Sequence, residues 1–375
     1  MEKKMLGSAL KRALTARIPF SAYIAAGAFL ALFCSLIGYL GRFHWFLDLF
    51  AHFKIQYFLL AGGCCAASAV DFQLARRKRR MVDKNAENGA ETAGDKGGGK
   101  RKMARVALAA GLLAFVLNAV EIVPLYFFPS NNAPSTSNRL HLLHINVNTE
   151  NSRYGDVERY VLSRDPDILL LVEVDSNWLA NIPRITRKYP FKIADTRSDN
   201  FGIALFAKKK PLDAKLLAIG DTNYGIKCVE WKFSFDGADM TLLGLHTLPP
   251  IGRVGSNERN AMLAEIAETA RKAEKNGSEV IVLGDLNITP WSSFFKRLER
   301  DARLRDARRG FGVNPSWPTV ALLRPLLIPI DHCLVSEGIN VVDFRTGMDV
   351  GSDHYPLEVE LESRGRQSPR ISVTP

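Results

Sequence analysis

Three long apolar stretches dominate the first third of the chain. They lie at about 19–40, 55–74 and 106–128; the first contains no charged residue, and each of the others contains one. A helix needs about 20 predominantly apolar residues to cross the hydrocarbon core of a bilayer. The pattern therefore predicts three transmembrane helices within a membrane anchor that comprises residues 1–128.

The pattern changes after a linker at 129–138 that is rich in Pro, Ser and Asn. Short apolar segments now alternate with amphipathic ones. The strand candidates are 140–147, 168–174, 203–207, 228–235, 240–246, 280–284, 332–336 and 357–361, and the helix candidates are 156–164, 257–275 and 292–300. Residues 228–235 alternate with the period of two that is typical of a half-buried strand. Because some strands connect through helices and others through short loops, a layered α/β (α+β) fold with mixed sheets is expected over 139–363, followed by a tail at 364–375.

Charge separates the same two parts of the chain. Residues 1–138 carry 18 Lys or Arg against 8 Asp or Glu, whereas residues 139–375 carry 32 against 31, and the whole chain has a net charge of +11. The second part thus lacks the excess of positive charge that supports tight, nonspecific nucleic-acid binding. Its local basic groups are Lys208, Lys209 and Lys210, and Arg303, Arg305, Arg308 and Arg309.

Basic residues also predict the orientation in a membrane. They are frequent before the first apolar stretch and between the second and third, but only Arg42 and Lys54 lie between the first and second. Short cytoplasmic loops carry the excess of Lys and Arg. We therefore expect a multi-pass protein of the plasma (inner) membrane whose N-terminus is cytoplasmic and whose second domain is extracytoplasmic. The cysteine spacing indicates no zinc site, and a bond between Cys228 and Cys333 stays open.

Polar side chains cluster where the apolar strands end, which is where α/β folds tend to place their sites. Taken singly, each fits a structural role, such as a turn after a strand. Glu173 is the exception, because a carboxylate in an apolar strand requires a partner or a metal. The ordered set comprises Asn146, Glu173, His246, the run Gly284-Asp285-Leu286-Asn287, Ile330-Asp331-His332 and Ser352-Asp353-His354.

This ordered set resembles the endonuclease/exonuclease/phosphatase superfamily over about residues 139–362, and it is most similar to a bacterial membrane-anchored subgroup with N-terminal transmembrane helices. The resemblance implies a four-layer sandwich with two mixed β-sheets and a divalent-metal-dependent phosphoester hydrolase. It implies Mg²⁺ (or Mn²⁺) held by Asn146, Glu173 and Asp353. It also implies that the catalytic residues are His246, Asp285, Asn287, Asp331 and His354.

The resemblance further implies a role for each catalytic residue. Asp285 would orient or deprotonate the attacking water, and Asn287 would hold a phosphoryl oxygen. His246 and His354 would bind the phosphate and stabilise charge or protonate the leaving group. Asp331 would orient a histidine. Two positions depart from the family pattern: His144 lies near the place of a frequent tryptophan, and Asn148 stands where an aspartate is common.

The function expected is therefore a membrane-anchored phosphodiesterase or phosphatase, acting on a lipid head group or on nucleic acid, with no protein partner evident. An extracytoplasmic nuclease is the alternative within the enzyme class. A non-catalytic membrane binding or scaffold protein on the same fold is the alternative outside it, and the intact set of acidic and histidine residues argues against that.

The predicted orientation can be tested with single cysteines at Asn85 and Ser137, in a background without the native cysteines. A membrane-impermeant thiol reagent applied to intact cells should label the cysteine at position 137. The cysteine at position 85 should react only after the membrane is permeabilised. The reverse pattern would show that the orientation is wrong.

Overall fold

The computed structural model describes residues 19–86, 98–127, 138–221 and 223–363. The expected tail at 364–375 and almost all of the expected linker at 129–138 lie outside these ranges. The described chain forms two compact units. One contains the described residues within Met1–Leu36 and Ile55–Ala119, and the other contains those within Ile37–Lys54 and Val120–Pro375.

The elements are as follows. The α-helices are α1 (Phe20–Tyr39), α2 (Trp45–Asp48), α3 (Lys54–Ala86), α4 (Gly98–Ile122), α5 (Pro124–Phe127), α6 (Tyr154–Arg164), α7 (Ser176–Ala180), α8 (Pro183–Lys188), α9 (Gly252–Lys275) and α10 (Ser293–Ala302). The strands are β1 (Leu140–Asn146), β2 (Ile168–Val172), β3 (Phe191–Asp195), β4 (Ile203–Ala207), β5 (Asp213–Ala218), β6 (Lys227–Phe235), β7 (Ala238–His246), β8 (Glu279–Asp285), β9 (Arg305–Asp306), β10 (Asp331–Val335), β11 (Ile339–Thr346) and β12 (Leu357–Ser363). Three 3₁₀ helices span Gly41–Phe43, Leu49–Phe53 and Ala321–Leu326.

The first unit packs three apolar helices through small side chains. Ala31 of α1, Ala61 of α3 and Ala114 of α4 are fully buried against one another. Small residues allow helix backbones to approach closely. The buried Asn118 donates from Nδ2 to Ser35 Oγ at 2.7 Å, which connects α4 with α1. Three helical segments of the described chain are long and apolar enough to cross a membrane: Phe20–Tyr39, Trp45–Leu74 and Lys102–Phe127.

The second unit is built on two six-stranded sheets. Their strand orders are β11-β12-β1-β2-β4-β3 and β5-β6-β7-β8-β10-β9. The pairs β1–β2 and β7–β8 are parallel and the remaining pairs are antiparallel, so both sheets are mixed. The predicted mixed-sheet fold is confirmed.

Alternation along the central strands creates three apolar layers. Leu142 of β1 and Leu283 of β8 contribute to a core between the two sheets. The adjacent residues of these strands face outward. Leu143 packs with α6–α8, and Val282 packs with α9 and α10. Successive residues of a strand point to opposite faces. The result is the expected four-layer arrangement of helices, sheet, sheet and helices.

All eight strands and all three helices predicted after the linker are present, with ends that shift by a few residues. The four strands that the pattern did not predict are β3, β5, β9 and β11, and each is the edge of a sheet. Cys228 and Cys333 are both buried and unpaired, so the disulfide left open above is absent from this structure.

Candidate active site

The inter-sheet core ends in a cluster of polar side chains at one end of the sandwich. In β1, Leu142, His144 and Asn146 share the inward face, because they are two residues apart. In the other sheet, His246 pairs with Asp285 in parallel register. Asp331 pairs with Asp285 in antiparallel register. Directly paired residues point to the same face of a sheet, so both sheets direct polar groups into the same space.

Asp331 connects the two sheets across that space. Its Oδ1 lies 2.9 Å from His144 Nε2, and its Oδ2 lies 2.9 Å from His354 Nδ1. All three side chains are at least 95% buried. His144, a departure from the family pattern, is therefore a partner of the Asp331 carboxylate. The sequence held a signal for this contact, since His144 shares the inward face of β1 with Asn146.

Asn146 lies at the centre of the acidic groups. Its Nδ2 donates to Glu173 Oε1 at 2.8 Å and to Asp285 Oδ2 at 3.2 Å, and it lies 3.5 Å from His354 Nε2. Glu173 follows β2 directly and has a left-handed backbone, with φ of 62°. That conformation is unusual for a residue other than Gly, Asn or Asp. It is fixed in part by Thr149 Oγ1, which donates to the Glu173 carbonyl oxygen.

His246 and Asn287 form the opposite side of the cluster. His246 Nε2 lies 3.6 Å from Asp285 Oδ2 and 4.0 Å from Glu173 Oε1. Asn287 Nδ2 lies 3.3 Å from His246 Nε2 and donates to the Thr247 carbonyl oxygen at 2.9 Å. The Asn287 backbone N–H donates to Asp285 Oδ1. These contacts place an imidazole, an amide and a carboxylate around one space.

Asp353 lies slightly apart from the other predicted residues. Its Oδ1 accepts a hydrogen bond from Asn148 Nδ2 at 3.0 Å, and its Oδ2 accepts one from Trp317 Nε1 at 3.0 Å. Trp317 was not singled out from the sequence, because a tryptophan in a long loop gives no local sign of its partner.

Burial and neighbouring charges shift the pKa values of the two histidines in opposite directions. Burial, followed by the charges of the neighbouring His354 and His144, lowers the pKa of His246 to about 3. Burial would also lower the pKa of His354, but the carboxylates of Asp331 and Asp285 outweigh it and raise that pKa to about 10. A nearby opposite charge favours the ionised form of a group. The two shifts favour the neutral form of His246 and the imidazolium form of His354.

The carboxylates differ in the same way. Burial, followed by the charge of Asp331, raises the pKa of Asp285 to about 8. Burial acts on Asp331 in the same direction, but His354 and His144 outweigh it and hold the pKa of Asp331 below its ordinary range. Burial also raises the pKa of Glu173.

The residues present fit a divalent cation. Within the described chain, the ion pairs of Glu173 and Asp285 are with histidines only, although both carboxylates are largely buried. Both carboxylates accept from Asn146 Nδ2, so their negative charges lie close together without a Lys or Arg partner, and oxygen ligands suit Mg²⁺. By distance alone, the ligand atoms that lie within 4.8 Å of one another belong to Asp285, Asp331 and His354. Since two histidines hold the Asp331 oxygens, Glu173, Asn146 and Asp285 are the more available donors.

Comparisons with known proteins agree with the fold. No curated protein matches the sequence. Among solved structures, a conserved protein of unknown function from Enterococcus faecalis is similar at 16% identity and a TM-score of 0.50, over 60% of this chain and 99% of that one. TDP2 from Caenorhabditis elegans is similar at 17% identity and a TM-score of 0.50, over 69% of this chain and 85% of that one. At these identities the likeness shows the fold alone.

The family model described as the Endonuclease/Exonuclease/phosphatase family matches residues 143–354. The match includes every predicted site residue, from Asn146 to His354, and it covers more than half of the chain. The chain belongs to the endonuclease/exonuclease/phosphatase family.

Proposed function

We propose that this protein is a membrane-anchored, divalent-metal-dependent phosphoester hydrolase whose site is extracytoplasmic. The observation that carries the proposal is the Asp331 carboxylate, which holds His354 as an imidazolium beside the acidic group of Glu173 and Asp285. Phosphoester hydrolysis requires neutralised phosphoryl oxygens, a positioned water and an acid for the leaving group. This cluster contains a candidate for each.

The division of labour follows from the contacts. Glu173 and Asn146, with Asp285 or Asp353, would hold Mg²⁺ or Mn²⁺, which when bound neutralises charge on the phosphate and orients the reacting groups. Asp285 would orient the attacking water, and because burial raises its pKa, its ionised form would be a stronger base than an ordinary carboxylate. Asn287 would donate to a phosphoryl oxygen through Nδ2. His354 would donate to the leaving oxygen, and neutral His246 would contact the phosphate.

The surroundings of the site favour a substrate at a membrane surface. Thr319 binds the backbone of Ser352 and Asp353, and an apolar 3₁₀ helix begins two residues later at Ala321. Its Leu322 is 87% exposed, and three neighbours are also exposed: Val320, Leu323 and Leu326. An exposed apolar patch beside a site is typical of a contact with lipid or protein.

The basic clusters lend little support to a nucleic-acid groove. Arg308 is fully buried and pairs with Asp306. Lys208 pairs with Asp165 and Asp167, and Arg309 pairs with Glu299. Lys209, Lys210 and Arg303 are exposed, but three of the seven basic residues are already paired. With the apolar patch beside the site, this makes a phospholipid head group the substrate class that we favour. An extracytoplasmic nuclease is the competing outcome.

Catalysis can be tested on the full-length protein in detergent with Mg²⁺ and a generic phosphodiester. Chelation should abolish hydrolysis, and Mg²⁺ or Mn²⁺ should restore it. Glu173→Gln and Asp285→Asn should each lower kcat by about 10²–10⁴, the usual range for such groups. Asp343→Asn, which alters a surface carboxylate of β11, serves as the control. Full activity in chelator or in Glu173→Gln would rule out the metal-dependent mechanism.

The role of Asp331 predicts a change in pH dependence. Asp331→Asn removes the charge that raises the pKa of His354, so the imidazolium should lose its proton at lower pH. We expect kcat to fall on the order of 10²-fold, and its alkaline limb to move toward lower pH. A pH profile of kcat measures both effects. An unshifted alkaline limb in an otherwise folded variant would exclude His354 as the acid.

The substrate class is tested with the full-length protein in liposomes. Leu322→Asp should impair hydrolysis of a phospholipid head group and leave hydrolysis of a small soluble phosphodiester unchanged. Leu212→Asp, at an exposed apolar position of another loop, should impair neither. Plasmid DNA is assayed in parallel at low and moderate salt. Salt-sensitive DNA cleavage without turnover of any lipid would favour the nuclease instead.

A further inference from the structure

The segment between α1 and α3 belongs to the second unit, together with the two sheets. It consists of the 3₁₀ helix Gly41–Phe43, the helix α2 and the 3₁₀ helix Leu49–Phe53. In the sequence it is a short connection between two apolar stretches. In the structure two of its polar side chains are buried, with Asp48 at 1% exposure and His52 at 5%, whereas Arg42 and His44 are exposed.

Asp48 forms a buried ion pair with α9. Arg259 Nη2 donates to Asp48 Oδ2 at 2.9 Å, and Arg259 is also only 1% exposed. The two residues are 211 positions apart in the chain. The other oxygen of Asp48 accepts a hydrogen bond from Ser292 Oγ at 2.7 Å. Ser292 is the N-cap of α10, since its Oγ accepts from Phe294 N.

The guanidinium of Arg259 also contacts a residue of the candidate active site. Its Nη1 donates to the backbone carbonyl oxygen of Asn287 at 3.1 Å. Asn287 has a left-handed backbone with φ of 48°, and its side chain contacts His246. A second contact comes from His52, whose Nδ1 lies 3.0 Å from Thr289 Oγ1. Residues 287–292 follow the strand that ends at Asp285. The segment Gly41–Lys54 thus contacts Thr289 and Ser292 directly and Asn287 through Arg259.

We propose that the segment Gly41–Lys54 is a component of the catalytic unit, and that Asp48 is a positioning residue that fixes Asn287 through Arg259. The proposal rests on the proposed function, in which Asn287 Nδ2 binds a phosphoryl oxygen. Asp48 carries the negative charge that keeps Arg259 in place. A guanidinium buried without that charge would move toward water, and the Asn287 carbonyl would lose its donor.

The orientation of Asn287 matters more for the transition state than for substrate binding. A small misplacement of a catalytic group lowers the rate steeply, because the reacting geometry is narrow. Loss of the Asp48 charge should therefore lower kcat more than it changes KM. A segment that only stabilised the fold would lower the amount of folded protein and leave kcat per folded molecule unchanged.

The test is a double-mutant cycle on the full-length protein in detergent with Mg²⁺. Asp48→Asn should lower kcat on the order of 10-fold or more with little change in KM. In an Asn287→Ala background the same substitution should have almost no further effect, because residues that act through one another are not additive. Glu121→Gln is the matched control. Glu121 also pairs with the segment, through Lys54, and with α10, through Lys296, but it makes no contact with Asn287.

Hydrogen exchange supplies a measurement that is independent of activity. The backbone amides of residues 286–292 should exchange faster in Asp48→Asn than in wild type or in Glu121→Gln. If Asp48→Asn does not fold, Arg259→Lys takes its place in the cycle with the same expected loss of kcat, because it keeps the positive charge but has one nitrogen in place of the two that donate to Asp48 and Asn287.

The outcomes separate the two proposals. An equal loss of kcat in both backgrounds, or unchanged exchange at residues 286–292, would overturn the positioning role. A wild-type protein that hydrolyses no phosphoester would overturn the proposed function, and the exchange experiment alone would then decide whether Asp48 holds this segment.

Discussion

The contact between His144 and Asp331 joins the two sheets at the point where their shared core ends. His144 belongs to β1 and Asp331 to β10, so each sheet contributes one member of a buried pair. Removing either partner would leave a buried polar group unsatisfied, which is strongly unfavourable. The same carboxylate then orients His354. One residue therefore links the packing of the sandwich to the charge of the candidate acid.

The central part of the fold was predictable because burial there is two-sided. Central strands such as β1, β2 and β8 are almost wholly buried, so each forms an apolar run that is visible in the sequence. The four missed strands are edges, which are paired on one side only. In β3 and β5 all residues are half-buried or exposed, so neither shows a clear apolar pattern. Edge strands obtain their conformation from a neighbour, and that neighbour is not visible in a local window of sequence.

The candidate site was predictable to the extent that it follows strand register. Asn146, Asp285 and Asp331 lie at strand ends, and parallel or antiparallel pairing brings such ends together. Contacts from outside the strands were not predictable. Trp317 comes from a long loop, and Asp48 comes from a connection more than 200 residues away from its partner. Nothing in the residues around Asp48 distinguishes it from a solvated carboxylate at a helix end.

Strand register alone does not account for the geometry of the site, because three of its residues have left-handed backbones. Asn148, Glu173 and Asn287 have φ of 57°, 62° and 48°. Asparagine tolerates this conformation, whereas for other L-residues it costs roughly 1–2 kcal/mol. Such conformations persist where the surroundings over-determine them.

In each sheet, a side chain outside the strands holds one of these left-handed residues. In the first sheet this side chain is close in sequence, since Thr149 donates to the carbonyl of Glu173. In the second sheet the side chain is distant in sequence, since Arg259 donates to the carbonyl of Asn287 and is itself paired with Asp48. The sheets bring the reactive groups to one end of the sandwich. The contacts of Thr149 and Arg259 fix the backbone of the residues that follow β2 and β8. The distance between Glu173 and Asn287 across the site consequently depends on a segment that the sequence presents only as a link between two apolar helices.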